Sequence, residues 1–184
     1  MKLFIVLITF LSLLTSCGYR FGSSELIKPC QKVQIPYACG DSTGLFTQHL
    51  IKAITLYSPL EYSSCEGKYL LEVSLDGYKQ KPIGFRYEQS YEGTYGRRLV
   101  ASETQLTVGA KVTLKNVSNN EVIVPTFCLK ESIEFDFEPE TSLQNQTNYS
   151  MGQLDFENAA IEAAKIPLYR KLSKKIVDYL NAAF

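Results

Sequence analysis

The chain has 184 residues, with 19 basic and 19 acidic side chains, a formal net charge of zero and 45% hydrophobic residues. That balance excludes the broad cationic field of a nucleic-acid-binding domain, and the length suits one compact domain with a single core. One histidine, His49, leaves little material for metal or proton-transfer chemistry.

Residues 1–16, MKLFIVLITFLSLLTS, carry one charge, Lys2, before an apolar run from Leu3 to Leu14 broken only by Thr9 and Ser12. The run is shorter than the roughly 20 residues that a membrane-crossing helix needs, and it has the grammar of a signal peptide. Leu14-Thr15-Ser16-Cys17 resembles a bacterial lipobox, in which the cysteine is acylated and the chain is cut just before it. Cys17 is therefore expected as the lipidated first residue of the mature protein; an ordinary signal peptide with Cys17 left free is the alternative. Each buried methylene of an acyl chain such as palmitate contributes about 0.8 kcal/mol, so several chains together hold a protein on a membrane. Gly18 stands where enteric lipoproteins retained at the inner membrane carry aspartate, which favours the outer membrane. Residues 17–184 are expected to form a single lipoprotein domain of net charge about −1, with an N-terminal tether at 17–29.

Val33, Ile35 and Tyr37 alternate with polar or small neighbours in a short first strand, which tolerates Pro36 only at an edge. Asp41-Ser42-Thr43-Gly44 offers capping residues before a helix in which Leu45, Phe46, His49, Leu50, Ala53, Ile54 and Tyr57 recur at three and four, ending near Pro59. Tyr69, Leu71, Val73 and Leu75 mark a second strand. From Leu106 to Lys115 the alternation is regular, with Leu106, Val108, Ala110, Val112 and Leu114 on one face. After a turn at 116–120, Ile123, Phe127, Leu129, Ile133, Phe135 and Phe137 are expected on one face of a fourth strand, making a long antiparallel hairpin with the third. Residues 138–152 lack apolar periodicity and are expected as a flexible loop. The remainder is helical, with Pro167 kinking or dividing it. The fold expected is α+β: a two-layer sandwich in which a four-stranded mixed sheet carries two helices on one face.

Strand, helix and strand form a βαβ crossover, so strands one and two are expected to be parallel. With Cys17 given to lipid, Cys30, Cys39, Cys65 and Cys128 remain, an even number that in an exported chain suggests two disulfides among three connectivities. Cys30 and Cys65 each precede a strand by a few residues, and parallel strands bring such positions to the same end. This favours Cys30 with Cys65 and leaves Cys39 with Cys128. No close CxxC pair is present, so neither a metal nor any other cofactor is expected. No nucleophile–base pair or phosphate loop is recognisable either, and the chain is expected not to be an enzyme. Residues 77–102, GYKQKPIGFRYEQSYEGTYGRRLVAS, interleave Tyr78, Phe85, Tyr87, Tyr91 and Tyr95 with Lys79, Lys81, Arg86, Arg97 and Arg98. Such a stretch suits a polyanion or a partner surface, or a hairpin extension whose tyrosines pack locally.

CGYRF at 17–21, followed by this order of elements, resembles the mature start and plan of the lipopolysaccharide-assembly lipoproteins, the LptE family. The resemblance implies a periplasm-facing, lipid-anchored outer-membrane protein that plugs the large β-barrel LptD, assists its assembly and binds lipopolysaccharide. It places basic ligand-binding positions at Arg97 or Arg98, near the start of the third strand, and at Lys130 on the fourth. The longer tyrosine-rich segment and the four extra cysteines depart from the family pattern. The alternative is an accessory lipoprotein of an ABC lipid-transport system or a cell-wall synthase activator, which shares the same small α/β plan.

Overall fold

The computed structural model describes residues 31–89, 95–136 and 151–183. In chain order these form β1 (Lys32–Gln34), α1 (Leu45–Tyr57), β2 (Glu61–Tyr62), β3 (Tyr69–Leu75), β4 (Lys79–Gln89), β5 (Tyr95–Asn116), β6 (Val122–Asp136) and α2 (Met151–Ala183). β5 organises the sheet. Along one edge it pairs antiparallel first with β3, from Tyr69↔Asn116 to Leu75↔Ala110, and then with β4, from Lys79↔Thr107 to Gln89↔Tyr95. β6 runs antiparallel along its other edge, from Glu103↔Asp136 to Lys115↔Val122. β1 lies parallel to β3, as the crossover rule requires, and also parallel to β2.

The α+β plan, with two helices over a mixed sheet, agrees with the expectation, but the sheet has six strands and not four. β2 is a two-residue edge, too short to show a period. β4 lies inside the stretch between the expected second and third strands, and with the first half of β5 it forms a long hairpin arm. Lys79, Gln80 and Lys81 are consecutively exposed, so this part of β4 is wet on both faces and carries no apolar alternation.

The core follows the period of β5. Leu106, Val108, Ala110, Val112 and Leu114 are all buried, together with Tyr69, Leu71, Val73 and Leu75 of β3. Against them pack Phe46, Leu50 and Ile54 of α1 and Leu168, Leu172, Ile176, Val177 and Leu180 of α2, spaced at three and four along each helix. β6 changes phase at Pro125. Phe127 stands opposite Val112, but it is Val124, not the expected Ile123, that stands opposite Leu114 and is buried. Proline has no N–H for the ladder, and the irregularity there moves the core-facing set from odd to even positions.

Pro36 similarly ends β1 at Gln34, short of the span expected. Pairing with β3 resumes at Cys39, whose N–H donates to Val73 O at 3.0 Å while Leu75 N–H donates to Cys39 O at 2.8 Å. Pro167 neither ends nor divides α2. The carbonyl of residue 163, which loses its helical donor, belongs to an exposed residue that water can serve. The expected tether at 17–29 and loop residues 138–150 lie outside the described residues, and the last two residues of that expected loop, Met151 and Gly152, instead begin α2.

Leu172→Ala should destabilise the protein by about 2–5 kcal/mol, because Leu172 is fully buried between α2 and the sheet. Lys130→Ala, at an exposed position, should stay within about 0.5 kcal/mol of the parent. Urea midpoints of the two variants measure the contrast.

Candidate functional site: the open face of the sheet

The helices cover one face of the sheet, and the odd-numbered positions of β5 look out from the other. Opposite partners share a face, so Ser74, Lys111 and Cys128 form one row, with Cys39 bridged to Ser74 at its end. Thr113 and Thr126 share a hydroxyl hydrogen bond of 2.7 Å in the next row. Lys115 pairs with Glu72 at 2.7 Å, Lys111 lies 3.7 Å from Asp76, and Gln105 Nε2 donates to Glu134 Oε1 at 3.1 Å. Gly109 leaves a gap in this face that the Asp76 carboxylate fills. A Cβ at Gly109 would stand 2.7 Å from Asp76 Oδ2, so a larger residue would displace the carboxylate. Pro36, Tyr37, Cys39, Glu72, Ser74, Lys111 and Thr113 surround an open depression of about 400 Å³. The surface is polar, and beside β3 its two lysines meet carboxylates.

Three polar fastenings hold the helix layer against this sheet. Asp41, buried before α1, accepts hydrogen bonds from Gly44 N–H at 3.0 Å and from Thr47 N–H and Oγ1 at 2.8 Å each. Thr47 Oγ1 in turn accepts from Ala38 N–H at 3.1 Å. Asp41 thus supplies the cap, placing a carboxylate at the positive end of the helix and tying it to the chain leaving β1. Tyr78, at the junction of β3 and β4, shares a hydroxyl hydrogen bond with Tyr169 of α2. Burial, with the partner hydroxyl adding to it, pushes Tyr169 well above the ordinary tyrosine range. Lys175 of α2 donates to Lys130 O at 3.0 Å and pairs with Glu131 at 2.6 Å, fastening the helix to β6.

The sequence-predicted residues do not converge. Cys17 and Cys30 lie outside the described residues. Arg97 and Arg98 have their backbone near the start of β5, and their side chains lie outside the described set. Lys130 is exposed on β6 opposite Gly109, some eleven residues along β5 from Arg98, a contour of roughly 37 Å. Cys39, Cys65 and Cys128 are exposed, and among the described residues no two of them are joined. The expected pairing of Cys39 with Cys128 is wrong. Ser74 and Lys111 stand between them in the row, so they are three strand spacings apart, about 14 Å, where a disulfide needs Cα atoms within about 7 Å. Among the described residues, no group of three or more His, Cys, Asp or Glu is placed to hold a metal. Leu99, which the sequence reading did not single out, is exposed and stands opposite Tyr87 on the arm, where two register shifts turn the row to the face away from Lys79 and Lys81. Strand register is the signal that finds it.

No family model and no curated protein sequence matches the chain. Solved structures similar to it include a minor lipoprotein from Acinetobacter baumannii, with a TM-score of 0.48 and 11% identity over 85% of this chain and 92% of that one. Lipoprotein B from Nitrosomonas europaea gives a TM-score of 0.43 and 10% identity over 90% and 94%. Rare lipoprotein B from Shewanella oneidensis gives 0.37 and 14% over 79% and 96%. These neighbours are bacterial lipoproteins; identities and scores this low assign no activity to the present chain.

Cys39 and Cys128 should both be alkylated by a maleimide in folded protein that has never met a reductant, each adding one reagent mass. A Cys39–Cys128 disulfide would leave both unmodified. His49 provides a pH test. Its pKa is lowered below 6.5 by partial burial and then by repulsion from Arg170 and Lys52. The unfolded chain therefore takes up the proton first, so stability is complete above about pH 6.5 and declines as pH falls through the lowered value. His49→Gln should flatten that part of a urea-midpoint profile between about pH 7 and 5.

Proposed function

We propose that this chain is an outer-membrane lipoprotein, held on the periplasmic side by acyl groups on Cys17, that acts as the plug subunit of a lipopolysaccharide translocon. In that role it occupies the lumen of a large outer-membrane β-barrel of the LptD kind, assists its assembly and binds lipopolysaccharide. The reading is of a binding protein and not an enzyme.

The observation that carries it is the two-sidedness of the sheet. One face is sealed by α1 and α2, while the other presents hydroxyls and, beside β3, lysines paired with carboxylates. A large barrel has a hydrated, polar interior. A polar surface of this kind keeps its hydration in such a lumen, where an exposed apolar face would not be covered. Arg97 and Arg98 are suited to grip lipid A or core phosphates through bidentate hydrogen bonds. Lys130, so far along the sheet from them, meets a different group from the one they hold.

Affinity capture of the lipidated protein from detergent-solubilised outer membrane should recover a large β-barrel in stable association. Recovery of an inner-membrane ABC transporter or a cell-wall synthase in its place would overturn the proposal in favour of the accessory-lipoprotein reading. Arg97→Glu with Arg98→Glu should weaken lipopolysaccharide binding by about tenfold or more. Unchanged binding would remove both residues from the ligand site.

A further inference from the structure

The outward side of the helix layer carries a charge pattern that the chain's overall balance does not imply. The chain has 19 basic and 19 acidic residues, yet α1 has no acidic residue between Leu45 and Tyr57, and Arg170, Lys171, Lys174 and Lys175 crowd one short stretch of α2. Lys175 is taken by Glu131 and the Lys130 carbonyl of β6. Arg170, Lys171 and Lys174 are exposed, interleaved with buried Tyr169, Leu172, Ser173 and Ile176. Arg170 and Lys174 lie one turn apart and share a face, as do His49 and exposed Lys52 on α1. The two faces adjoin. Tyr169 meets Phe46 edge-on, Lys174 Nζ lies 5.9 Å from the centre of the Tyr57 ring, and Asn181 Nδ2 donates to Tyr57 O at 2.7 Å, so the helices run side by side in the same direction. In the seam between them, half-buried His49 feels the charges of both Arg170 and Lys52. The ion pairs found among the described residues use none of these four groups, and Asp178, one turn past Lys174, joins none of them.

We infer that the seam between α1 and α2 is an anion site for phosphate groups, with Arg170, Lys174, Lys52 and the imidazole of His49 as its donors. Phosphate suits a set of donors converging from two helices better than carboxylate does: its oxygens are arranged tetrahedrally and can meet an arginine fork and flanking lysines together, whereas the two oxygens of a planar carboxylate are satisfied by one fork. No carboxylate has to be displaced for the anion to enter. On the open face of the sheet, by contrast, Glu72 and Asp76 already occupy Lys115 and Lys111. Lys52 on the same helix and Arg170 on the facing one are the charged groups that oppose a proton on His49. An anion seated between them reverses that field, so the imidazole takes up a proton as the anion binds, and by reciprocity the anion binds more tightly as pH falls. The inference uses none of the residues on which the translocon reading rests.

His49 is the chain's one histidine, so its ring-proton resonances report the seam alone. In the full lipidated protein, held in neutral detergent, pyrophosphate should raise the His49 pKa read by NMR titration by about one pH unit or more beyond sodium chloride of the same ionic strength. Arg170→Gln with Lys174→Gln, both at exposed positions, should raise that pKa in chloride, because a repelling charge has gone, and should abolish the response to pyrophosphate. Lys32→Gln, exposed on β1, should leave the response intact. Mixed micelles containing phosphatidylglycerol, compared with phosphatidylcholine, distinguish the source: a rise that the double variant abolishes assigns the site to lipid headgroups, and a response to pyrophosphate alone assigns it to a soluble phosphate compound. An equal rise in chloride would mark screening only and overturn the inference. So would a pyrophosphate response that survives the double variant, or an equal rise with malonate, which would remove the preference for phosphate.

Discussion

The pairing of β5 with three other strands is the constraint on which the rest of the molecule depends. Twenty-two residues run without a break from Tyr95 to Asn116, with β3 and β4 end to end on one side and β6 on the other. A strand alternates its side chains with a period of two, so a slip of one residue would send Leu106, Val108, Ala110, Val112 and Leu114 into water and bring Lys111 and Lys115 under the helices. Burial of that apolar set fixes the register. Once it is fixed, the composition of the open face from Glu103 to Lys115 follows with no further choice, because each odd residue there is committed to it. The close approach of Asp76 to Gly109 adds a local check, since it occurs at the junction where β3 hands over to β4.

The helix layer depends on the same strand but is also held by polar contacts near its margins. Asp41 and Thr47 secure the start of α1, Tyr78 and Tyr169 join α2 to the β3–β4 junction, and Lys175 reaches the backbone and side chain of β6. Tyr169 links two of these regions, because its ring also meets Phe46 of α1 edge-on at 5.6 Å between centroids. Apolar packing supplies most of the attraction between layers, yet it is non-directional. The hydrogen bonds to Asp41 and Tyr169 are directional, and they select which of several possible helix placements over an apolar sheet is occupied.

What the sequence discloses depends on how unequal the two faces of each element are. The run from Leu106 to Leu114 is plain because one side is sealed and the other wet, and the parallel crossover follows from the handedness of βαβ units. β4 is hidden for the opposite reason: Lys79, Gln80 and Lys81 meet solvent on both faces, so no alternation records the strand. Prolines mislead in both directions. Pro36 cuts β1 short and Pro125 reverses the phase of β6, whereas Pro167 leaves α2 whole because the helix is anchored by buried residues on both sides of it. The Cys39–Cys128 pairing fails because it came from elimination along the chain, whereas the distance between them is set by the two strands that intervene. Lys130 and the two arginines are similarly separated by the length of β5, a separation that composition alone does not express.

The open face does not run unchanged along the whole of β5. Near β3 its charges meet partners within the sheet, as Lys115 does with Glu72, and a surface neutralised in this way gains little from a charged ligand because binding would have to break existing pairs. Further along, beyond the Lys79–Thr107 row, β3 no longer flanks β5, and register shifts between Pro82 and Phe85 turn Phe85, Tyr87 and Leu99 to the other face. That transition coincides with the end of the helix layer over β4, where Gln80, although in register with fully buried Leu106, is itself exposed. The helices end here, and Phe85, Tyr87 and Leu99 are left exposed on the side that the core occupies further along the sheet, so the arm contributes little to the core. Its sequence is therefore free to be set by what it touches outside the molecule.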